Sequence, residues 1–552
     1  MRKSIFRIIK LKVGLLLFSL AVLICPIARV TAASTSLIDI YTGIDIGADI
    51  DTEDTEVKSF LTRFHHNPTK EMSRPIIKRN FKGEILPNQY LTDKQKDILS
   101  TKRYAFRNNL LSNNRKSAYG EDDLAENLIY NRASMMRNIF DMDNANLTEA
   151  KLQVLPWSDN YWPMYKGGIA FRYADPKAEA SVGFFRGILD FILNNDSKWK
   201  AYHKYVLKNP ATNYINRGRI DLLSPAEKYD LLIGDESFTL TKHMWEEGRQ
   251  YFSTARRVET WMGICHGWAL ASYMLPTPLH AITVNSVNNK YRITFYPSDI
   301  KALSSLFWAN FSYDENIIGG RCALKNNDNQ VKRDPISGRI LNQQCFDTNP
   351  GTWHMSVVNQ LGILNKSFVI DAVYDYEVWN QPMVSYKYIY FNPQTFEAYA
   401  DAKSAVIPLQ EYTKDKFSRF RSLKTKSVVG VKMTIVYSSE SDPNHLDVNP
   451  NLGSLISVNY YYDLELDEKG AILGGEWYAD SHPDFLWTTA VGVKPYTPLD
   501  MLISNRWNPI TEALPANWAE NARKAVNNKL PLGRIIHALI AASRGTENYF
   551  DD

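Results

Sequence analysis

From Val458 to Leu466 every second residue is a bulky apolar or aromatic one. Val458, Tyr460, Tyr462, Leu464 and Leu466 therefore share one face of a strand expected over 456–466. The polar run Asp467-Glu-Lys-Gly470 supplies a turn, and 471–477 reads as the strand returning from it. Strands are also expected over 427–437, 293–296 and 368–373, where β-branched and aromatic residues cluster. Earlier in the chain the apolar spacing is helical. It predicts helices over 93–109, 122–140, 180–195, 224–232 and 240–250, and one more short helix over 531–543. Helices early and strands late make an α+β chain, with no internal repeat.

Changes of texture along the chain suggest its divisions. Between Asp39 and Glu56, Ile and Asp alternate without the Gly and Glu positions of an EF-hand loop, so this stretch reads as a solvated linker. Residues 34–150 are expected to form a polar, helical accessory or pro-region. A denser segment begins near Pro156-Trp-Ser-Asp-Asn-Tyr-Trp-Pro163. The chemical core is expected over 151–415, and a β-rich C-terminal part with the terminal helix over 416–552.

The first 33 residues change how charge and cysteine are counted. Arg2, Lys3, Arg7, Lys10 and Lys12 precede an apolar run, Val13–Ile24, and small residues follow at Thr31, Ala32 and Ala33. This is the layout of a secretory signal peptide; the alternative, a membrane anchor, meets Pro26 and Arg29 before it is long enough to span. Removing the six basic residues of 1–33 turns the formal charge of +4 into −2, which gives no electrostatic case for nucleic acid. Cys25 is lost with the signal, and Cys265, Cys322 and Cys345 remain. Cys322 and Cys345 flank a polar, turn-rich insert and are expected to pair, leaving Cys265 as the free thiol. Cys265 as a small buried hydrophobe, or as the partner of one of the other two, is the competing reading.

Gly263 and Gly267 bracket Cys265, and Ala269-Leu-Ala271 suits a helix that starts there. A thiol at a helix N-terminus feels free N–H groups and the positive end of the dipole, which favour the reactive thiolate. Such a nucleophile needs a base, and the base needs an acceptor that orients it. Among ten histidines, His354 is the first candidate, placed where turn residues end and an apolar strand is expected to begin. Asp371 interrupts the apolar run 368–373. If the two segments pair about a turn at 363–366, residues 354 and 371 face each other, because their midpoint falls near that turn. A structural buried His-Asp pair is the plainer alternative. His482, flanked by Asp480 and Asp484, is the second candidate base, or else part of a tight structural corner.

The run Val378-Trp-Asn-Gln-Pro382 resembles the peptide signature by which plants detect oomycete cell-wall transglutaminases. The blocks 258–268, 295–303, 347–354 and 474–487 are similar to further blocks of that family, in the same order. The chain is identified as a member of the transglutaminase elicitor family, which has bacterial members too. After Pro382 it reads Met-Val-Ser-Tyr386, where the oomycete signature has Val-Arg-Gly-Phe. The resemblance implies a papain/transglutaminase-like core with a helix-borne cysteine packed on an antiparallel sheet. It implies a secreted protein-glutamine γ-glutamyltransferase with Cys265, His354 and Asp371 as catalytic residues. Its partners would be proteins offering glutamine and lysine side chains. The chemistry requires no cofactor; calcium enters only by analogy with other transglutaminases, and no loop carries a metal-ligand pattern. A cysteine protease or glutamine deamidase would use the same residues, and a non-catalytic secreted surface-binding effector is the rival outside enzymes.

Overall fold

The computed structural model describes residues 50–86, 123–180, 197–320, 331–372, 377–447 and 453–546. The expected signal peptide, the helix over 93–109 and all but the first residue of the helix over 180–195 lie outside them. Residues 45–552 form one compact unit.

The strands are β1 (Lys78–Asn80), β2 (Glu149–Lys151), β3 (Ile282–Asn285), β4 (Arg292–Phe295), β5 (Glu315–Gly319), β6 (Val369–Asp371) and β7 (Asn380–Phe391). They continue with β8 (Ala398–Tyr399), β9 (Ile407–Pro408), β10 (Ser427–Ser439), β11 (Ser454–Leu466), β12 (Ile472–Trp477) and β13 (Phe485–Thr489). An 11-stranded sheet runs in the order β1-β11-β10-β7-β6-β13-β5, with β12 on β11, β2 and β8 on β7, and β9 on β10; β3 and β4 pair separately. The helices include α1 (Ile50–His66), α2 (Pro225–Leu232), α3 (Thr239–Ala255), α4 (Cys265–Met274), α5 (Pro297–Asn310), α6 (Pro350–Ser356), α7 (Ala516–Val526) and α8 (Gly533–Arg544). The fold is α+β, as the patterning implies.

Strand β11 uses its alternation as expected: Val458, Tyr460, Tyr462, Leu464 and Leu466 all enter one core. That core also takes Ile370 and Leu486 from β6 and β13. Their neighbours Val369 and Trp487 point to the opposite face, into a second core shared with Cys265 and the helices α4, α5 and α8. Between Met383 and Ser385, β7 carries one extra residue opposite the step from Val436 to Tyr437. The bulge flips the parity of the strand, so that Met383 and Tyr386 lie on the same face.

Three expectations fail, each for an identifiable physical reason. The end of the supposed solvated linker is the start of α1, which buries Val57, Phe60, Leu61 and Phe64 against Phe391, Phe417, Tyr461 and Tyr478. Lys432 on β10 fastens that helix by pairing with Glu53 and Glu56. Where one helix is expected over 122–140 there are 3₁₀ turns at Ala125–Asn127 and Arg132–Ser134, then a helix only from Ile139. The Asn138 side chain accepts from the Phe140 and Asp141 N–H groups, a helix-starting role that a mid-helix position would not allow. The strand expected from His354 onward is helical: α6 continues as a π-helix over Val357–Ile363. Asn349 caps α6 by accepting from the Gly351 N–H, and Pro350 occupies its first turn, so Asn-Pro starts a helix here rather than closing a turn.

Candidate functional site

Cys265 is the first residue of α4, and Ile264 occupies the N-cap position without a side-chain cap. The two flanking glycines permit its placement. A Cβ on Gly263 would collide with the Tyr161 carbonyl, and one on Gly267 with the Ser305 carbonyl of α5. Across from the helix start lies the beginning of β7. The Asn380 Nδ2 donates to the Cys265 Sγ at 3.4 Å, and the thiol donates to the Val378 carbonyl at 3.7 Å. The Asn380 Oδ1 in turn accepts from the Trp487 indole N–H at 2.8 Å. Asp371 is the register partner of Asn380 across β6 and β7, and its Oδ1 accepts from the Trp379 N–H at 3.1 Å.

The rim is aromatic and acidic. The Tyr161 and Trp379 rings meet edge-on at 5.2 Å, and the Trp379 indole N–H donates to Glu377 at 3.0 Å. Glu440 accepts from the Gln381 amide at 2.7 Å and from the Ser439 hydroxyl at 3.0 Å. Burial pushes the Cys265 thiol above its ordinary value; the Asn380 donors pull it down, and the charges of Glu440 and Asp371 push it up again. The sequence suggests a thiol made acidic by a helix N-terminus, yet at only 6% exposure the desolvation outweighs that effect. Burial likewise raises the Glu440 carboxyl.

Of the three residues expected to act together, two share this neighbourhood and one does not. His354 lies on α6, fully buried, with its Nδ1 2.9 Å from the Tyr462 hydroxyl and its ring 4.8 Å from that of Tyr388. Both tyrosines belong to the core on the other face of the sheet from Cys265. Along β7, Tyr388 is eight residues from Asn380, roughly 27 Å of strand. Neither the sheet nor that distance allows His354 to hydrogen-bond with the thiol or with Asp371, so the expected 354–371 strand pairing is corrected. Burial alone lowers the His354 imidazole to about 3, the value of a neutral core histidine. His482 stacks on Trp477 at 4.5 Å, and the Trp477 indole N–H donates to the Thr348 carbonyl at 2.9 Å, which makes this a structural corner.

Asn380, Trp487 and Glu440 do not stand out in the sequence as site residues. The first two lie inside the blocks 378–382 and 474–487, which is the signal that could have found them. Cys265 is the free cysteine among the described residues; the expected pairing of Cys322 with Cys345 involves a residue outside them. Among the described residues, no group of three or more His, Cys, Asp or Glu is placed to hold a metal ion. Among the same residues, no helix is long and apolar enough to cross a membrane.

Comparison with known proteins bears on residues 247–499, which match the family model described as transglutaminase elicitor. The resemblance read in the sequence therefore holds over that stretch. The crystal structure of the GP42 transglutaminase from Phytophthora sojae is similar at 21% identity and a TM-score of 0.43, covering 68% of this chain and 91% of that one. No curated protein matches the chain.

Proposed function

Because residues 247–499 carry the transglutaminase elicitor pattern, we propose that this chain is a secreted protein-glutamine γ-glutamyltransferase with Cys265 as its nucleophile. The observation that carries the reading is a free thiol at a helix N-terminus, with an amide donor on its sulfur, inside the family-matched stretch. The sulfur attacks a glutamine carboxamide carbon. An S–C bond forms, the C–N bond breaks, and ammonia leaves carrying the thiol proton. A lysine amine then attacks the thioester: a new C–N bond forms, the C–S bond breaks, and the amine's proton returns to the sulfur. Water in place of the amine gives deamidation.

With His354 across the sheet, the proton route runs through the carboxyl groups whose charge the thiol feels. Asp371 and Glu440 are those groups, and burial raises the Glu440 carboxyl above its ordinary value. The test is incorporation of a labelled primary amine into a glutamine-containing protein by the mature chain, with Cys265→Ala and Asp371→Asn as controls. Amine uptake by the wild type that is lost in Cys265→Ala supports the transferase. Hydrolysis without uptake assigns a protease or deamidase instead. Repeating the assay with a chelator reads any dependence on calcium.

One observation favours a second reading, a secreted surface-binding effector with an inert cysteine. The thiol is buried and its ionisation is disfavoured, which describes a structural cysteine as well as a resting nucleophile. A mature protein whose Cys265 never reacts with a small alkylating reagent would establish that reading.

A further inference from the structure

A buried primary amide has two chemically different ends that look alike in shape, and its neighbours decide which end faces which group. At Asn380 that decision belongs to Trp487. An indole nitrogen only donates, so the Trp487 N–H at 2.8 Å requires the Asn380 oxygen on its own side. The amide nitrogen is thereby turned toward the Cys265 sulfur, 3.4 Å away. Both partners are held by regular structure. Trp487 pairs with Val369 on β6, and β6 pairs Asp371 with Asn380 on β7, so the indole and the amide project from one face onto the start of α4.

We propose that Trp487 and Asn380 form a relay that fixes an amide hydrogen on the Cys265 sulfur, with Asn380 a catalytic residue and Trp487 a positioning residue. The assignment rests on the reading of Cys265 as a nucleophile. In the resting thiol, the S–H points to the Val378 carbonyl. When the proton leaves, that bond is lost, and the Asn380 side chain and backbone N–H groups are the donors left for the negative sulfur. A relay of this kind counters part of the burial penalty on the thiolate without placing a positive charge in the site. It also makes the amide's orientation a property of Trp487, which never touches the sulfur.

The experiment follows thiolate absorbance in the ultraviolet against pH for the mature full chain, each trace referenced to Cys265→Ser. The variants are Asn380→Ala, Asn380→Asp and Trp487→Phe, each checked for folding by circular dichroism. Asn380→Ala is expected to cut the thiolate fraction at a pH below the midpoint by about tenfold, the scale of one hydrogen bond to a charged group. Trp487→Phe, which frees the amide to turn over, should move the midpoint the same way by a smaller step. Asn380→Asp, which puts a carboxylate on the sulfur, should move it furthest. A simple packing role would lower the melting temperature and leave the midpoint in place. Folded Asn380→Ala with an unmoved midpoint overturns the relay; a shift in Asn380→Ala with none in Trp487→Phe overturns the part assigned to Trp487. The transferase reading fails separately, if the wild type never takes up amine while these shifts are present.

Discussion

Replacing His354 by glutamine separates two accounts of this residue with one variant. His354 is wholly buried, and its imidazole is lowered from the ordinary 6.5 to about 3 by desolvation. Above about pH 6.5 it is neutral whether the chain is folded or not, so it contributes no pH dependence there. As the pH falls below 6.5 the unfolded chain takes up a proton that the folded chain refuses, and stability is lost through the window from 6.5 down to about 3. At pH 5 the gap is about one and a half pH units, or roughly 2 kcal/mol. Glutamine keeps a polar group toward Tyr462 and removes the titration. Urea unfolding at pH 7.5 and pH 5 should therefore show the wild type losing roughly 2 kcal/mol more than His354→Gln between the two conditions. His537 and His65, also lowered by burial to about 3 and about 4, act in both proteins and cancel in the difference. Amine incorporation at pH 7.5 should survive in the variant, because His354 and Cys265 are on opposite faces of the sheet. Equal acid sensitivity in the two proteins would refute the buried neutral histidine. A folded variant with a reactive thiol and no amine uptake would refute its separation from the chemistry.

Two further outcomes are expected. The denatured, unreduced mature chain should show one thiol to a colorimetric reagent and three after reduction, from Cys265 alone and then from Cys322 and Cys345 as well; three before reduction would remove the proposed disulfide. Lys228→Met should destabilise the protein by about 3–5 kcal/mol in denaturant titration, because it strands a buried carboxylate. Lys228 and Asp299 are both fully buried and paired at 2.6 Å, and a loss under 1 kcal/mol would show that water reaches Asp299.

The elements that were legible in the sequence are those whose signal is local. The period-two face of β11, the turn at 467–470 and the return strand need no distant contact to be recognised, and neither does the Ser224 start of α2. There Ser224 and Glu227 complete a capping box. The stretches that misled are those whose conformation is set by tertiary burial. Val357-Val358 favours a strand by propensity, yet both side chains are fully buried in a helical segment whose Asn359 side chain accepts from the Met136 N–H and donates to the Met136 carbonyl. The polar 50–66 stretch has only one apolar stripe, and it becomes a helix by laying that stripe on strands some 330 or more residues away in the sequence.

The site shows the same division in sharper form. Cysteine parity and two flanking glycines identify Cys265 because both signals are local to it. Its partners cannot be found that way, since a sheet has two faces and chain order does not say which face a residue addresses. His354 and Asp371 look like neighbours by counting residues about a turn. The segment between them winds through a π-helix instead and delivers the histidine beneath the sheet and the aspartate above it. Asn380 illustrates the converse. It is 115 residues from Cys265 and adjoins it because β6 and β7 pair Asp371 with Asn380 at the level of the α4 N-terminus. Any proton acceptor for this thiol must therefore come from the face that carries Val369 and Trp487, or from the rim where Glu377 and Glu440 stand. That constraint follows from the sheet and holds whichever acyl acceptor, amine or water, the thioester meets.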